Sequence, residues 1–377
     1  MSSVLQQSKR QQSKPATQSR RLQRTLIVDD SVLFRSFMRR CLSAIDHIEV
    51  LGTAVDGEMA MRQIAKLKPD LVTLDMEMPL MHGIEVLRAL QRDAPQTKVI
   101  VVSSETETNA ERTLEVLAAG ACDFIIKPNA ASVDAEKSLT EQLRRCSKVA
   151  QSVAKVSGVN AQKLALKPVD FKAPASFRPD IIAIGSSTGG PAALSRVIEA
   201  LPADLSVPVV ITQHMPKLFV QSLASRLAKG SQLVCCVAEN GMVLEKGHVY
   251  LAPGEIHMEV VRKGVKMAIR LVDGPKLHHC KPAVDRTFYA LAALAPLVKT
   301  LAVVLTGMGV DGADGAKRIK QSQGYVVVQD EDSSAVWGMP GATVKAGAAD
   351  SVLALDKIAA VLHKLTSKGG AHATSRV

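Results

Sequence analysis

Aromatic side chains are scarce, with seven Phe, three Tyr and one Trp in 377 residues. Proteins that read single-stranded nucleic acid stack its bases on aromatic rings, so nucleic acid is not an expected partner. The six cysteines, Cys41, Cys122, Cys146, Cys235, Cys236 and Cys280, form no C-x-x-C pair, and most lie in apolar runs. They read as reduced, buried thiols of a cytoplasmic protein. No uncharged apolar run approaches the roughly 20 residues that span a bilayer, and the basic start has no apolar segment of a signal peptide. Membrane insertion is therefore not expected. The chain also lacks G-x-G-x-x-G and a phosphate loop ending in Gly-Lys-Ser/Thr.

Net charge is +11, which invites a polyanion-binding reading until its distribution is examined. Residues 1–24 hold six bases and no acid, residues 25–177 hold 19 bases and 20 acids, and residues 178–377 hold 22 and 16. More than half of the excess thus sits in a Gln/Ser-rich stretch that cannot form a core. This stretch is expected to be a solvated, disordered basic tail, with contact to a polyanion or partner as the alternative.

What is abundant is aliphatic residue, enough within the 47% hydrophobic content for two packed cores. From Thr25, short aliphatic runs (TLIVDD, VLGTAV, LVTLDM, KVIVVSS, DFIIKP) alternate with stretches of helical spacing, which predicts a parallel sheet covered by helices on both faces. A polar amphipathic helix is expected over 133–156, with Leu139, Leu143, Cys146 and Val149 on one side. Residues 157–179 carry Gly, Ser and Pro without periodicity and read as linker. From Asp180 the alternation resumes, with HVYLAP and MAIRLV as a candidate edge hairpin. The expected fold class is α/β, with two doubly wound parallel-sheet domains. The boundaries are 1–24 tail, 25–132 first domain, 133–178 helical and flexible linker, 179–367 second domain and 368–377 C-terminal tail.

Functional residues of open parallel sheets gather at the carboxyl ends of strands. In the first half those ends carry Asp29 and Asp30, Asp75, Ser103 and Lys127. Three converging carboxylates need a compensating cation, and oxygen ligands with room for water suit Mg²⁺. A carboxylate beside Mg²⁺ and a lysine is a competent nucleophile toward a phosphoryl group. An Asp-Asp pair alone would be read as a helix cap. The D-x-E-M-P and K-P motifs at the right strand ends favour the switch.

In the second half, GSSTG at Gly185–Gly189 satisfies G-x-S-x-G between a strand and a helix, with Ser187 in the turn. A serine hydroxyl needs a base, and His214 ends the apolar run VPVVITQ. An acid must orient the imidazole, and Asp311 follows LAVVLTG, with Asp314 and Asp330 as weaker candidates. His278 and His279 share a polar loop with Cys280; adjacent side chains usually diverge, which argues against a metal site there. His257 follows a Pro-Gly turn and reads as structural. The order Ser, His, Asp differs from the Ser, Asp, His of ordinary α/β-hydrolases, so a different doubly wound sheet is expected.

Residues 25–130 resemble a two-component receiver domain, which is flavodoxin-like. The resemblance implies Asp75 as phosphoacceptor and Asp29 and Asp30 as the acidic pocket. Glu77 would offer its backbone carbonyl to the Mg²⁺ used in phosphorylation. Ser103 and Lys127 would be the switch pair, and Phe124 an aromatic that changes rotamer. The set I-G-S-S-T-G-G, Q-H-M-P, L-A-P-G, L-T-G-M-G-V-D-G and D-E-x-S-x-x-x-x-G-M-P closely resembles the chemotaxis protein-glutamate methylesterase/glutamine deamidase (CheB) family. Over residues 25–366 it implies a Rossmann-like methylesterase domain behind the receiver. Ser187 would be nucleophile, His214 base and Asp311 orienter, with Thr188 positioning His214 and the Met308 N–H in the oxyanion hole. No cofactor is implied for ester hydrolysis. The implied partners are methyl-accepting chemoreceptors as substrate and a cognate histidine kinase as phosphodonor. A receiver-linked regulator with a non-catalytic binding output is the alternative. Gly341 departs from the pattern, since the family often has a charged residue after G-M-P.

Overall fold

The computed structural model of the chain describes residues 21–104, 106–128, 134–156 and 177–366. Most of both expected tails and the segment 157–176 lie outside the described residues.

The first domain runs β1 (Gln23–Val28), α1 (Val32–Ser43), β2 (Ile48–Ala54), α2 (Gly57–Leu67), β3 (Leu71–Asp75), α3 (Gly83–Asp93), β4 (Lys98–Ser103), α4 (Glu107–Ala118), β5 (Asp123–Ile126) and α5 (Ala135–Val156). Its five strands are parallel in the order β2-β1-β3-β4-β5. Every residue of β3 is buried, as expected of a strand covered on both faces. Side chains start the early helices: the Ser31 hydroxyl accepts from Phe34 N at 3.3 Å and Asp56 from Met59 N at 2.7 Å, each satisfying a free amide of the first turn.

The helix expected to be linker is part of this domain. Leu139, Leu143, Cys146 and Ala150 of α5 are fully buried in one apolar cluster with Met38 and Leu42 of α1, Ile100 of β4 and Ile125 of β5. As far as Ala150, α5 thus contributes side chains to the core of the first domain. A polar helix with one apolar stripe has the same pattern whether it joins domains or covers a sheet.

The second domain runs β6 (Ile181–Ser186), α6 (Gly190–Glu199), β7 (Val209–Gln213), α7 (Lys217–Gly230), β8 (Val234–Val237), β9 (His248–Leu251), β10 (His257–Lys263), β11 (Lys266–Val272), α8 (Val284–Ala292), β12 (Thr300–Val304), α9 (Ala313–Gln321), β13 (Tyr325–Gln329), α10 (Met339–Lys345), β14 (Ser351–Leu353) and α11 (Leu355–Thr366). Seven parallel strands take the order β14-β13-β12-β6-β7-β9-β8. The chain leaves β6 toward β7, then returns to build β12, β13 and β14 on the other side. The loops after β6 and β12 thus diverge at a topological switch point, where doubly wound sheets place their sites.

The expected hairpin of HVYLAP with MAIRLV is not formed. HVYL is β9, hydrogen-bonded between β7 and β8 inside the main sheet. MAIRLV pairs antiparallel with the preceding HMEVVRK as β10 and β11.

The two domains meet where α4 packs on α6 and α7. A single buried apolar cluster continues from Leu114 and Leu117 into Phe219 and Leu223. Phe124 of β5 stacks on Phe219, ring centroids 4.7 Å apart and 21° between planes.

Candidate active site and phosphorylation site

At the carboxyl edge of the first sheet, Asp29 and Asp75 are buried and Asp30 is exposed. Lys127 Nζ lies 2.8 Å from Asp29 Oδ2 and 2.7 Å from Asp75 Oδ2. Backbone amides hold the other oxygens: Ser31 N donates to Asp29 at 2.9 Å and Glu77 N to Asp75 at 3.3 Å. Burial pushes the Asp75 carboxyl up to about 6, against the pull of Lys127. Lys127 is itself raised, because its bonds to Asp29 and Asp75 outweigh burial. Oxygens of Asp29, Asp30 and Asp75 lie within 4.8 Å of one another. Such a hard, all-oxygen set fits Mg²⁺. Ser103, at the end of β4, is buried and its carbonyl accepts from Lys127 N at 2.8 Å. Glu77 sends its carboxylate outward to Arg112, 3.8 Å away, and Phe34 packs its ring 4.8 Å from Lys127 Nζ.

In the second domain, Ser187 follows β6 directly. The turn to α6 closes through Gly189, in the left-handed region at φ +74°, where a glycine avoids the clash a Cβ brings. A Cβ on Gly190 would meet Gln213 Oε1 at 2.0 Å. That amide is fully used: it accepts from the Ser186 hydroxyl at 2.6 Å and donates to the carbonyls of Ser187 and His214 at 2.9 and 3.1 Å. His214 N also donates to Ser186 O at 3.1 Å, so the serine turn and the histidine are tied through backbone.

His214 Nε2 is 2.7 Å from Asp311 Oδ2. Asp311 is 1% exposed and accepts two more bonds, from Val284 N at 2.7 Å and Asp285 N at 2.9 Å. These are the first amides of α8, where free N–H groups and the helix dipole favour an anion. Burial pushes Asp311 up, but the bonds to His214 and to the helix amides prevail, and it stays below the usual carboxylate range. Burial alone would lower His214. The bonds to Asp311 and Cys280 overcome it and raise the imidazole to about 9.

One expected contact takes a different geometry. The Thr188 hydroxyl does not turn to His214. It donates to Asp123 Oδ2 of the first domain at 2.9 Å. The Met308 loop packs on the serine turn, where a Cβ on Gly307 would meet Ser187 Cβ at 2.9 Å, and Ser187 N donates to Thr306 O at 3.1 Å. The departure at Gly341 has a local cause, since a Cβ there would meet the Trp337 ring at 2.8 Å.

Three neighbours went unassigned in the sequence reading. Asp123 is buried and pushed up by that burial. Asp285 is fully buried, accepts from Gly315 N at 2.6 Å and pairs with His278 at 2.9 Å. Cys280 Sγ lies 3.5 Å from His214 Nδ1. In the 278–280 loop, His278 goes to Asp285 and Cys280 to His214. His257 is buried and spent on Pro275 O and Ala283 N.

A serine at a strand-to-helix turn, a His–Asp pair on the neighbouring strand ends, and a separate domain with a buried Asp–Lys carboxylate cluster fit a hydrolase placed behind a response-regulator switch. Residues 182–362 match the CheB methylesterase family and residues 25–137 the response regulator receiver domain. The chain is 41% identical over 345 residues to the protein-glutamate methylesterase/protein-glutamine glutaminase of Geobacillus kaustophilus, covering 91% of this chain and 98% of that protein. It is 43% identical over 344 residues to the protein of the same name from a Nocardioides species, covering 88% and 92%. The crystal structure of the Thermotoga maritima CheB methylesterase catalytic domain is 40% identical, covers 50% of this chain and 98% of that one, and has a TM-score of 0.48. The chain belongs to the CheB methylesterase family, with a receiver domain in front of the methylesterase domain. Among the described residues, no helix is long and apolar enough to cross a membrane.

Proposed function

We propose that this protein is a cytoplasmic, phosphorylation-activated esterase that demethylates glutamyl methyl esters, and deamidates glutamines, on chemoreceptors. The observation that carries this reading is the buried His214–Asp311 pair at 2.7 Å, tied by backbone to the Ser187 turn.

Because Asp311 engages Nε2, the working nitrogen of His214 is Nδ1. Ser187 Oγ attacks the side-chain carbonyl carbon of the methyl ester as Nδ1 takes its proton. The Met308 N–H stabilises the oxyanion. The tetrahedral intermediate collapses, the C–O bond to the methoxy group breaks, and Nδ1–H protonates the departing methoxide to methanol. Water then attacks the acyl-enzyme with the same base, regenerating Ser187 and releasing glutamate. A glutamine amide follows the same route with ammonia as leaving group. Asp311 holds the imidazole and balances its charge.

Asp75 is the phosphoacceptor for a histidine kinase. Asp29, Asp30 and Asp75, with the Glu77 carbonyl, would hold Mg²⁺, which neutralises charge on the transferring phosphoryl group. Lys127 and Ser103 then bond the phosphoryl oxygens. Lys127 leaves its present bridge between Asp29 and Asp75, and Phe124 repacks against Phe219.

The deciding experiment measures methanol release from methylated receptor membranes, with and without a phosphodonor. Release that is stimulated by the donor and absent in Ser187→Ala is expected. A wild-type chain that releases no methanol would favour a purely binding output.

A further inference from the structure

The contact between Cys280 and His214 falls on the nitrogen proposed as the base, and its chemistry is that of a metal ligand pair. Ligand atoms of His214, Cys280 and Asp311 lie within 4.8 Å of one another. Asp311 is committed to Nε2 and to the α8 amides. The free ring nitrogen, Nδ1, faces Cys280 Sγ at 3.5 Å.

That separation has a specific meaning. Tetrahedral zinc takes imidazole nitrogen at about 2.0–2.1 Å and thiolate at about 2.3 Å, so adjacent N and S ligands stand about 3.5 Å apart. The loop fixes the thiol there. Leu277 and Cys280 exchange backbone hydrogen bonds of 3.1 and 2.9 Å, and the two residues between them, His278 and His279, are in the left-handed region at φ +51° and +63°. Asp311 supplies the further feature of zinc-binding histidines, a carboxylate on the other ring nitrogen that sets the tautomer and raises basicity. The His214 side chain is 12% exposed and Cys280 is half-buried, so an ion reaches them from solvent.

We propose that His214 Nδ1 and Cys280 Sγ form an inhibitory Zn²⁺ site, with Asp311 as the outer carboxylate and water completing the shell. Binding releases the thiol proton, and any proton on Nδ1, to solvent; no oxidation is involved. A thiolate–imidazole pair selects a borderline-soft ion over Mg²⁺, which separates this site from the all-oxygen cluster of Asp29, Asp30 and Asp75. On the functional reading above, Nδ1 is also the base. Metal and catalysis would then exclude each other.

The test uses the full chain in excess Mg²⁺, with Co²⁺ as a spectroscopic probe. One equivalent should produce a thiolate-to-cobalt charge-transfer band, displaced by Zn²⁺ and missing in Cys280→Ala. Zn²⁺ should also inhibit methyl ester hydrolysis by the wild type, reversibly on chelation. With each rate referred to the variant's own zinc-free rate, Cys280→Ala should need at least about tenfold more Zn²⁺ for half-inhibition, the loss expected when a ligand is removed. A wild-type chain without the thiolate band, or a Cys280→Ala variant with the same band or the same zinc sensitivity, overturns the site. A chain that shows the Cys280-dependent band yet hydrolyses no ester supports the site and refutes the esterase reading.

Discussion

The hydroxyl of Thr188, one residue beyond Ser187, is hydrogen-bonded at 2.9 Å to Asp123, a buried carboxylate of the receiver domain. The same Oδ2 accepts from Cys146 Sγ of α5 at 3.4 Å. A carboxylate from one domain is therefore anchored within its own fold and reaches into the serine turn of the other. If the receiver restrains the esterase, this bond is a direct link. Leaving a buried hydrogen-bonding group without its partner costs about 1–3 kcal/mol. Asp123→Ala is expected to raise unphosphorylated hydrolysis by roughly tenfold or more, since each 1.4 kcal/mol is a factor of ten. Thr188→Val should act in the same direction. Basal rates measured without phosphodonor decide the point, and unchanged or reduced rates in both variants would remove the link.

Phe124 makes the second connection. Trimming it to Ala removes a stacked pair worth about 0.5–1.5 kcal/mol beyond its buried area. Higher basal activity and a smaller response to phosphodonor are expected. Asp75→Asn should show no response to the donor at all. A normal activation ratio in Phe124→Ala would detach the ring from the switch.

Ser187→Ala should abolish methanol release, by about 10⁶ as for a comparable hydrolase nucleophile, while Asp75 still accepts phosphate. Asp311→Asn should cost less than His214→Gln, because an orienter is partly dispensable. Multiplicative losses in a Ser187/His214 double variant would argue that the two do not act as one unit.

His214 sets the pH dependence. Its pKa is raised from 6.5 to about 9, and only the neutral ring accepts a proton from serine. Hydrolysis should therefore climb as pH rises toward about 9 and level above it. For stability the sign is opposite: the charged His214–Asp311 pair stabilises the fold fully below 6.5, and this contribution is lost as pH rises through about 9. Asp311→Asn should move the activity inflection downward. A rate profile flat between pH 6 and 9 in the wild type contradicts the assignment.

The placement of α5 is tested by truncation. A receiver fragment ending at Val156 should fold cooperatively, and one ending at residue 132 should not. Leu139 is fully buried, so Leu139→Ala should cost about 2–5 kcal/mol in denaturant unfolding. A stable 132-residue fragment would return the helix to the linker.

The candidate functional residues were legible in the sequence because parallel βα units put them at strand ends. Asp29, Asp75, Lys127, Ser187, His214 and Asp311 each follow an aliphatic run, and that local signal is enough. What stayed hidden depends on partners distant in the chain. Asp123 and Thr188 are 65 residues apart and Cys280 and His214 are 66 apart; no spacing marks either pair. The hairpin was misjudged for a related reason. An apolar run of four residues reads alike at a sheet edge and inside a sheet, so HVYL gave no sign that β7 and β8 flank it.

Val284 gives the glycines of two motifs a shared purpose. A Cβ on Gly185 would meet the Val284 side chain at 2.3 Å, and one on Gly312 would meet it at 2.8 Å. One methyl-bearing wedge at the head of α8 thus presses on the strand before the serine and on the loop after the aspartate, while its own amide holds that aspartate. The strand end before Ser187 and the loop at Asp311 thus close on the same valine methyl. A larger residue at either glycine would displace Val284, and with it the amide that holds Asp311.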